Sequence, residues 1–337
     1  MRSRYAAVRE KRFMLGKSIF AALLAASGAL SPALAQDYPT RPITMIIPLA
    51  VGGSTDVLGR IMAKGMSEAL GQTVVVENTS GAAGVIGVTR GERAAPDGYT
   101  IQWGMWGTNM ANGAIYNLDF DLLNDLDPVA LVATQPFFFN GRKTLAANNL
   151  QELLVWLKQN GDKTTMGNSG VGSPSHVAGI LMQNMLGMKW QMVSYRSAGL
   201  ANQDLLAGTI DLLLDTPAVS LPHVKSGDLK SYAVTSEKRL ALAPEIPTAN
   251  EAGMPGYFFN FWHALWAPKD TPKPIIAKLG AAVQKTLANP EIRQRLTDLA
   301  QVIYPPEMQT PEGLHAFQKA EVEKWYPIIK AAGIKPE

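Results

Sequence analysis

Short apolar runs alternate with stretches in which apolar residues recur every three or four positions. Ile43 to Pro48 reads as a buried strand. From Asp56 to Leu70, the residues Val57, Leu58, Ile61, Met62, Met66, Ala69 and Leu70 fall on one helical face. The pattern then repeats. Thr73 to Val76, Thr100 to Trp103, Val129 to Val132 and Phe137 to Asn140 read as strands, with a glycine-led helix over Gly81 to Arg93. Beyond them lie the helix Leu150 to Gln159, strand Thr164 to Met166, helix Ser175 to Leu186 and strand Met192 to Tyr195. Next come the helix Ala198 to Ala207, strand Ile210 to Leu214, helix Val219 to Lys225 and strand Ser231 to Thr235. Helices over Pro274 to Ala288, Glu291 to Ala300 and Pro311 to Ala332 close the chain. Such alternation implies an α/β fold with parallel sheets covered by helices on both faces. Pro and Gly thicken around Pro244 to Gly256, where a crossing between two domains is expected.

The start of the chain breaks this pattern. Arg2, Arg4, Arg9, Lys11, Arg12 and Lys17 precede an uncharged run from Ile19 to Leu34, and Ala33-Leu34-Ala35 follows with small residues at both ends. That is the layout of a secretory signal peptide over residues 1–35, cleaved before Gln36. The run is short for a bilayer span. Export to a bacterial periplasm is expected.

The leader also dominates the charge. Of 31 basic and 28 acidic residues it holds six and one, leaving 25 basic and 27 acidic in the mature chain. A near-neutral protein offers no electrostatic case for nucleic acid. Cys is absent, so disulfides and thiolate chemistry are excluded. His176, His223, His263 and His315 are not spaced as metal ligands, and neither a metal nor a cofactor is expected. Gly81 to Gly87 does not have the dinucleotide spacing, and no P-loop lysine follows the glycines near residue 52.

Candidate chemistry sits where strands turn into helices. Leu49, Ala50, Gly52, Gly53, Ser54 and Asp56 form the first such turn, in which Ser54, Thr55 or Asp56 could cap the helix. Free N–H groups and the helix dipole favour an anion there. Gly167 to His176 forms a second turn, with Ser169, Ser173 and His176 as candidate contacts. A third carries Trp106 and Thr108, and a fourth Arg196, Ser197, Ala198 and Gly199. Asp215, at the end of a strand, could accept from a ligand donor or brace a loop. An arginine placed like Arg196 is more often solvated than ligand-bound. Core packing is the default for Trp103, Trp106 and Trp262, with Trp106, inside a glycine-flanked turn, the candidate exception. The Gly-x-Ser-x-Gly elbow of hydrolases is missing around Ser173, which argues against an exported Ser/His hydrolase. Four donor-rich turns together favour binding of a small acidic molecule.

Several segments in order resemble one family. They are Tyr38-Pro39-Thr40-Arg41-Pro42-Ile43, Gly52-Gly53-Ser54-Thr55-Asp56, Leu70 to Asn78, Pro96-Asp97-Gly98-Tyr99-Thr100, Gly172 to His176 and Asp204 to Asp211. The chain is identified by them as similar to the Bug-type periplasmic receptors of tripartite tricarboxylate transporters. The resemblance implies a two-domain periplasmic binding protein, type II-like, closing on its ligand like a flytrap. It implies domain 1 from residues 36–140 plus 257–337 and domain 2 from 141–256. It further implies a non-enzymatic, monomeric receptor that hands a small carboxylate to membrane permease subunits. The carboxylate grip would correspond to Leu49 through Asp56 and Arg196 through Leu200, partly through waters. Ser197 and Leu200 replace the family's usual Gly and Pro, Leu49 replaces an aromatic, and Trp103 and Trp106 replace small or aliphatic residues. A reshaped pocket follows, able to stack Trp106 on an aromatic acid such as a phthalate or benzoate, or to take an aliphatic di- or tricarboxylate. A partner of a membrane histidine kinase would use the same cleft.

Overall fold

The computed structural model describes residues 38–335. The signal-peptide reading lies outside them. The described chain runs β1 (Ile43–Ile47), α1 (Ser54–Leu70), β2 (Val74–Asn78), α2 (Val85–Glu92), β3 (Thr100–Met105), α3 (Asn112–Ile115), β4 (Leu126–Pro136) and β5 (Phe138–Arg142). It continues through α4 (Leu150–Asn160), β6 (Thr165–Asn168), α5 (Pro174–Leu186), β7 (Gln191–Ser194), α6 (Ala198–Ala207), β8 (Leu212–Asp215), α7 (Pro217–Lys225) and β9 (Leu229–Val234). The last elements are β10 (Asn260–Pro268), α8 (Lys273–Ala288), α9 (Pro290–Asp298), β11 (Val302–Ile303) and α10 (Pro311–Ala331).

The strands form two sheets, ordered β11-β4-β10-β3-β1-β2 and β7-β6-β8-β5-β9. Both are mixed, which corrects the all-parallel expectation. β1 pairs in parallel with β2 and β3, but β10 runs antiparallel to both β3 and β4. In the second sheet β6 is parallel to β7 and β8, whereas β5 is antiparallel to β8 and β9. The sequence pattern missed β10 for a physical reason. Its central position buries every residue from Phe261 to Pro268, so no polar alternation marks it as a strand.

The chain passes between sheets at Phe137 and returns between Val234 and Asn260. Thr235 ties these passages together. Its N–H donates to Phe137 O at 2.9 Å and its Oγ1 accepts from Phe137 N at 2.8 Å. The same hydroxyl donates to Phe259 O at 2.5 Å, and Phe259 N donates to Thr235 O at 3.1 Å. Aromatic rings pack along the crossing. Phe137 stacks on Phe259 at 5.7 Å, and Phe259 meets Trp325 edge-on at 5.0 Å.

Local packing fixes the first site loop. A Cβ on Gly87 would lie 2.6 Å from Pro48 Cα, so only glycine lets α2 approach the end of β1. At its other end α1 stops at Gly71, whose φ of 70° is left-handed and returns an N–H to Ser67 O.

Candidate functional site

A cavity of about 190 Å³ lies where both sheets present strand ends and helix starts. Leu49, Ala50, Gly53, Ser54, Thr55, Asp56 and Met105 line it from the first sheet's side, with Phe137 and Phe261 at the crossing. Ser169, Pro174, Ser175, Ala198, Leu214, Asp215 and Thr216 line it from the second sheet's side. The starts of α1, α5, α6 and α7 therefore converge on one space.

The start of α1 is held without a side-chain cap. Gly53 is the N-cap, with extended backbone and no capping side chain, which corrects the expectation that Ser54, Thr55 or Asp56 fills that role. First-turn N–H groups have no intrahelical acceptor. Asp56 folds back and accepts from Gly52 N at 2.9 Å, from Asn78 Nδ2 at 2.9 Å and from Arg60 Nε at 3.1 Å. Burial pushes its carboxyl up, but the hydrogen bonds from Arg60, Gly52 and Asn78 outweigh that and hold it below the usual range. Asp56 is thus a loop brace as well as part of the wall. Thr55 is pinned from two directions. Its Oγ1 lies 3.2 Å from His263 Nε2, and its carbonyl accepts from Trp103 Nε1 at 3.0 Å.

The facing loop is a knot of hydroxyls. Ser175 Oγ accepts from Ser169 N at 3.1 Å and lies 3.1 Å and 3.2 Å from the Ser169 and Ser173 hydroxyls. Ser173 caps α5 by accepting from His176 N at 3.3 Å. His176 Nδ1 accepts from Gly172 N at 3.1 Å. That bond engages Nδ1 with the backbone of its own loop.

Asp215 is the second carboxyl in the wall. Asn202 Nδ2 donates to it at 2.8 Å and Thr216 N at 2.7 Å. Burial outweighs these donors and raises its carboxyl to about 6. Among the described residues no Lys, Arg or His lines the cavity. Whatever anion enters must be met by N–H groups and hydroxyls.

The structure brings together Leu49, Ala50, Gly53, Ser54, Asp56, Ser169, Ala198 and Asp215, all singled out from the sequence. Other candidates lie elsewhere. Trp106 is fully buried, edge-to-face with Phe259 at 5.2 Å and Trp325 at 5.6 Å, so it packs in the core and does not line this cavity. Thr108 is buried too and caps the turn after β3, accepting from Met105 N at 3.1 Å. Gly52 spends its N–H on Asp56, and Ser173 and His176 brace the second loop. Arg196, Ser197 and Gly199 are exposed outside the cavity, Ser197 capping α6. Sequence reasoning did not single out Met105, Phe137, Pro174, Ser175, Leu214, Thr216 and Phe261 as wall residues, and held Thr55 only within the span Leu49 through Asp56. Thr55 and Ser175 sat inside turns already recognised. Phe137 and Phe261 carry no local signal, because a crossing of distant strands makes them neighbours.

Two α/β sheets, a double crossing and a cavity between strand ends define a solute-binding protein of the flytrap class. Residues 58–334 match the family model for the tripartite tricarboxylate transporter family receptor, and the chain belongs to that family. A UPF0065 protein of Agrobacterium vitis is 37% identical over 95% of this chain and 92% of its own length. BugT of Bordetella pertussis is 30% identical over 94% of this chain and 97% of its own. Among solved structures, periplasmic binding protein BugD is 37% identical with a TM-score of 0.77, covering 88% of this chain and 100% of BugD. MatC from Rhodopseudomonas palustris, solved with malate bound, is 34% identical with a TM-score of 0.76, covering 87% of this chain and 100% of MatC. An R. palustris protein solved with adipate is 30% identical with a TM-score of 0.78, covering 89% of this chain and 100% of that one. The family is one of receptors, not enzymes. No described helix is long and apolar enough to cross a membrane.

Proposed function

We propose that this receptor captures a small aliphatic dicarboxylate in the periplasm and delivers it to the permease subunits of a tripartite tricarboxylate transporter. The observation that carries the reading is the convergence of helix starts on a cavity of about 190 Å³ whose wall has no cationic side chain. Helix N-termini bind carboxylates through N–H groups and dipole without a countercharge. The two ends of a dicarboxylate would lie against the Ser54–Thr55 and Ser169–Ser175 sides. Malate in MatC and adipate in the second R. palustris protein support that ligand class. The cavity is smaller than those that bury drug-sized ligands, roughly 300–1,000 Å³. With Trp106 in the core, the stacking argument for an aromatic acid falls away.

Closure would follow from contacts to both sides of the cavity, which stabilise the closed state over the open one. The moving bodies in this reading are one domain built on the six-stranded sheet and another on the five-stranded sheet, working as a monomer.

Thermal melts of the chain from Gln36 onward, with malate, adipate, citrate, benzoate and phthalate, test this. A ligand at 100 times its dissociation constant adds about 2.7 kcal/mol to the folded state. Stabilisation by malate or adipate, with unchanged ligand recovered afterwards, is the expected result. A response to phthalate or benzoate only, or turnover of any of the acids, would sink the proposal.

A further inference from the structure

Two carboxyls, Asp56 and Asp215, stand in the wall of the ligand cavity, and among the described residues no Lys, Arg or His joins them there. The two are not equivalent. Asp56 is paired with Arg60 at 3.0 Å, so its charge is already met. Asp215 is only 2% exposed and is hydrogen-bonded to neutral donors, Asn202 Nδ2 and Thr216 N.

A dicarboxylate brings further negative charge to this wall. One of its ends would lie against Ser169 and Ser175, which stand on Asp215's side of the cavity. In a space of about 190 Å³ the ligand and Asp215 lie inside the screening length of about 8 Å. Like charges so placed disfavour each other's ionised form. Asp215 is the group ready to give way, because burial has already raised its carboxyl to about 6.

The elements packed around Asp215 do not supply a cation that would hold it ionised. On α7, the charge of His223 lowers it, but burial outweighs that effect, and Lys225 at the end of the same helix is exposed. On α6, Asp204 accepts from Tyr195 Oη at 2.7 Å. On α5, His176 Nδ1 accepts from Gly172 N. Strand β5 sets Phe138 opposite Asp215, and its Arg142 is paired with Asp211 at 2.8 Å. Strand β6 ends in Asn168, which is neutral.

We propose, on the dicarboxylate reading given above, that this receptor takes its ligand together with a proton, which Asp215 holds in the complex. The proton is drawn from solvent as the anion enters. Binding and protonation are then linked, so each favours the other by the same factor. Affinity is greatest in mild acid and falls as pH rises, because the proton must be found at greater cost.

Calorimetry of the mature protein with malate, adipate and aspartate at pH 7, in buffers of different ionisation enthalpy, counts the protons taken up. Ordinary carboxyls, near about 4, are ionised at that pH, so a proton gained on binding goes to the protein. Malate or adipate should bind with nearly a full proton per ligand, and affinity should fall by up to about tenfold between pH 7 and pH 8. D215N has no proton to gain and should bind without uptake and with a flat profile. H223Q should keep the uptake. The wild-type count needs no variant, so it stands even if D215N does not fold. Malate or adipate bound without a proton, uptake persisting in D215N, or aspartate preferred to malate without uptake, its ammonium answering Asp215, would each overturn the proposal. Binding of none of the acids would take down the dicarboxylate reading and this proposal with it, whereas binding without a proton would take down this proposal alone.

Discussion

Asn202 Nδ2 donates to the Asp215 carboxyl at 2.8 Å in a wall with no basic side chain among the described residues. Burial outweighs the donors Asn202 and Thr216 and the charge of His223, so its carboxyl rises to about 6 from 3.8. A raised acid binds its proton more readily folded than unfolded. Its contribution to stability is therefore fully present below the unfolded value near 3.8 and is lost as pH rises through about 6. The loss amounts to about 3 kcal/mol. His263 acts in the opposite direction. Burial lowers it to about 3, so stability present above 6.5 is lost as pH falls toward 3. Over the acid range the two effects oppose. In denaturant melts from pH 4 to pH 8, Asp215→Asn should make stability climb more steeply with pH, and His263→Gln should flatten the climb. Parallel curves for Asp215→Asn and wild type would show that Asp215 does not titrate as argued.

Trp106 separates packing from recognition. It is wholly buried against Phe259 and Trp325 and lines no part of the cavity between the strand ends. Trp106→Phe should lower the melting temperature through a lost contact worth about 1–3 kcal/mol. Ligand affinity should stay within about twofold of wild type, a few tenths of a kcal/mol. A large affinity loss with an unchanged melt would restore the tryptophan to the site.

Arg196 and Ser175 offer a contrast in charge and position. Arg196 is exposed outside the cavity, whereas Ser175 lies in its wall and holds the Ser169 amide. Arg196→Ala should leave dicarboxylate affinity almost unchanged at ordinary salt. Ser175→Ala leaves a loop N–H without its acceptor and should weaken binding about tenfold. Calorimetric titration of both variants decides between backbone-and-hydroxyl recognition and a charged clamp.

Gly172 links the second loop to distant parts of the chain. Its φ of +76° is left-handed, and a Cβ there would lie 3.1 Å from Ile115 Cδ1 and 3.8 Å from Ile334 Cγ2. Gly172→Ala should cost about 1 kcal/mol in stability from backbone strain. The displaced loop carries Ser169 and Ser175, so ligand dissociation should also quicken, which stopped-flow fluorescence would register. An unchanged off-rate would mean that the loop does not depend on this contact.

How much was legible follows from what each feature depends on. Helix α1 was readable because its apolar residues repeat on one face and Gly71 stops it, both local facts. The turns at Gly53 and Ser169 were readable because glycine and hydroxyl residues at a strand-to-helix junction leave N–H groups exposed. Strand β10 was not, because a strand buried on both faces shows no period. Trp106 misled for a related reason. Flanking glycines suggested an open turn, but Phe259 and Trp325, far along the chain, close over it.

The sequence by itself determined the α/β class, the helix starts and the loops that carry the first site, since these rest on periodicity and backbone freedom within a few residues. Only the tertiary structure decided which of those loops share a cavity, that Phe137 and Phe261 complete its wall, and that Asp215 is buried beside donors too weak to offset the burial. It also decided that Thr235 laces the crossing. Those outcomes depend on contacts between residues distant in the chain, 98 positions apart for Phe137 and Thr235, and on burial, which raises or lowers a carboxyl only once the chain has closed around it.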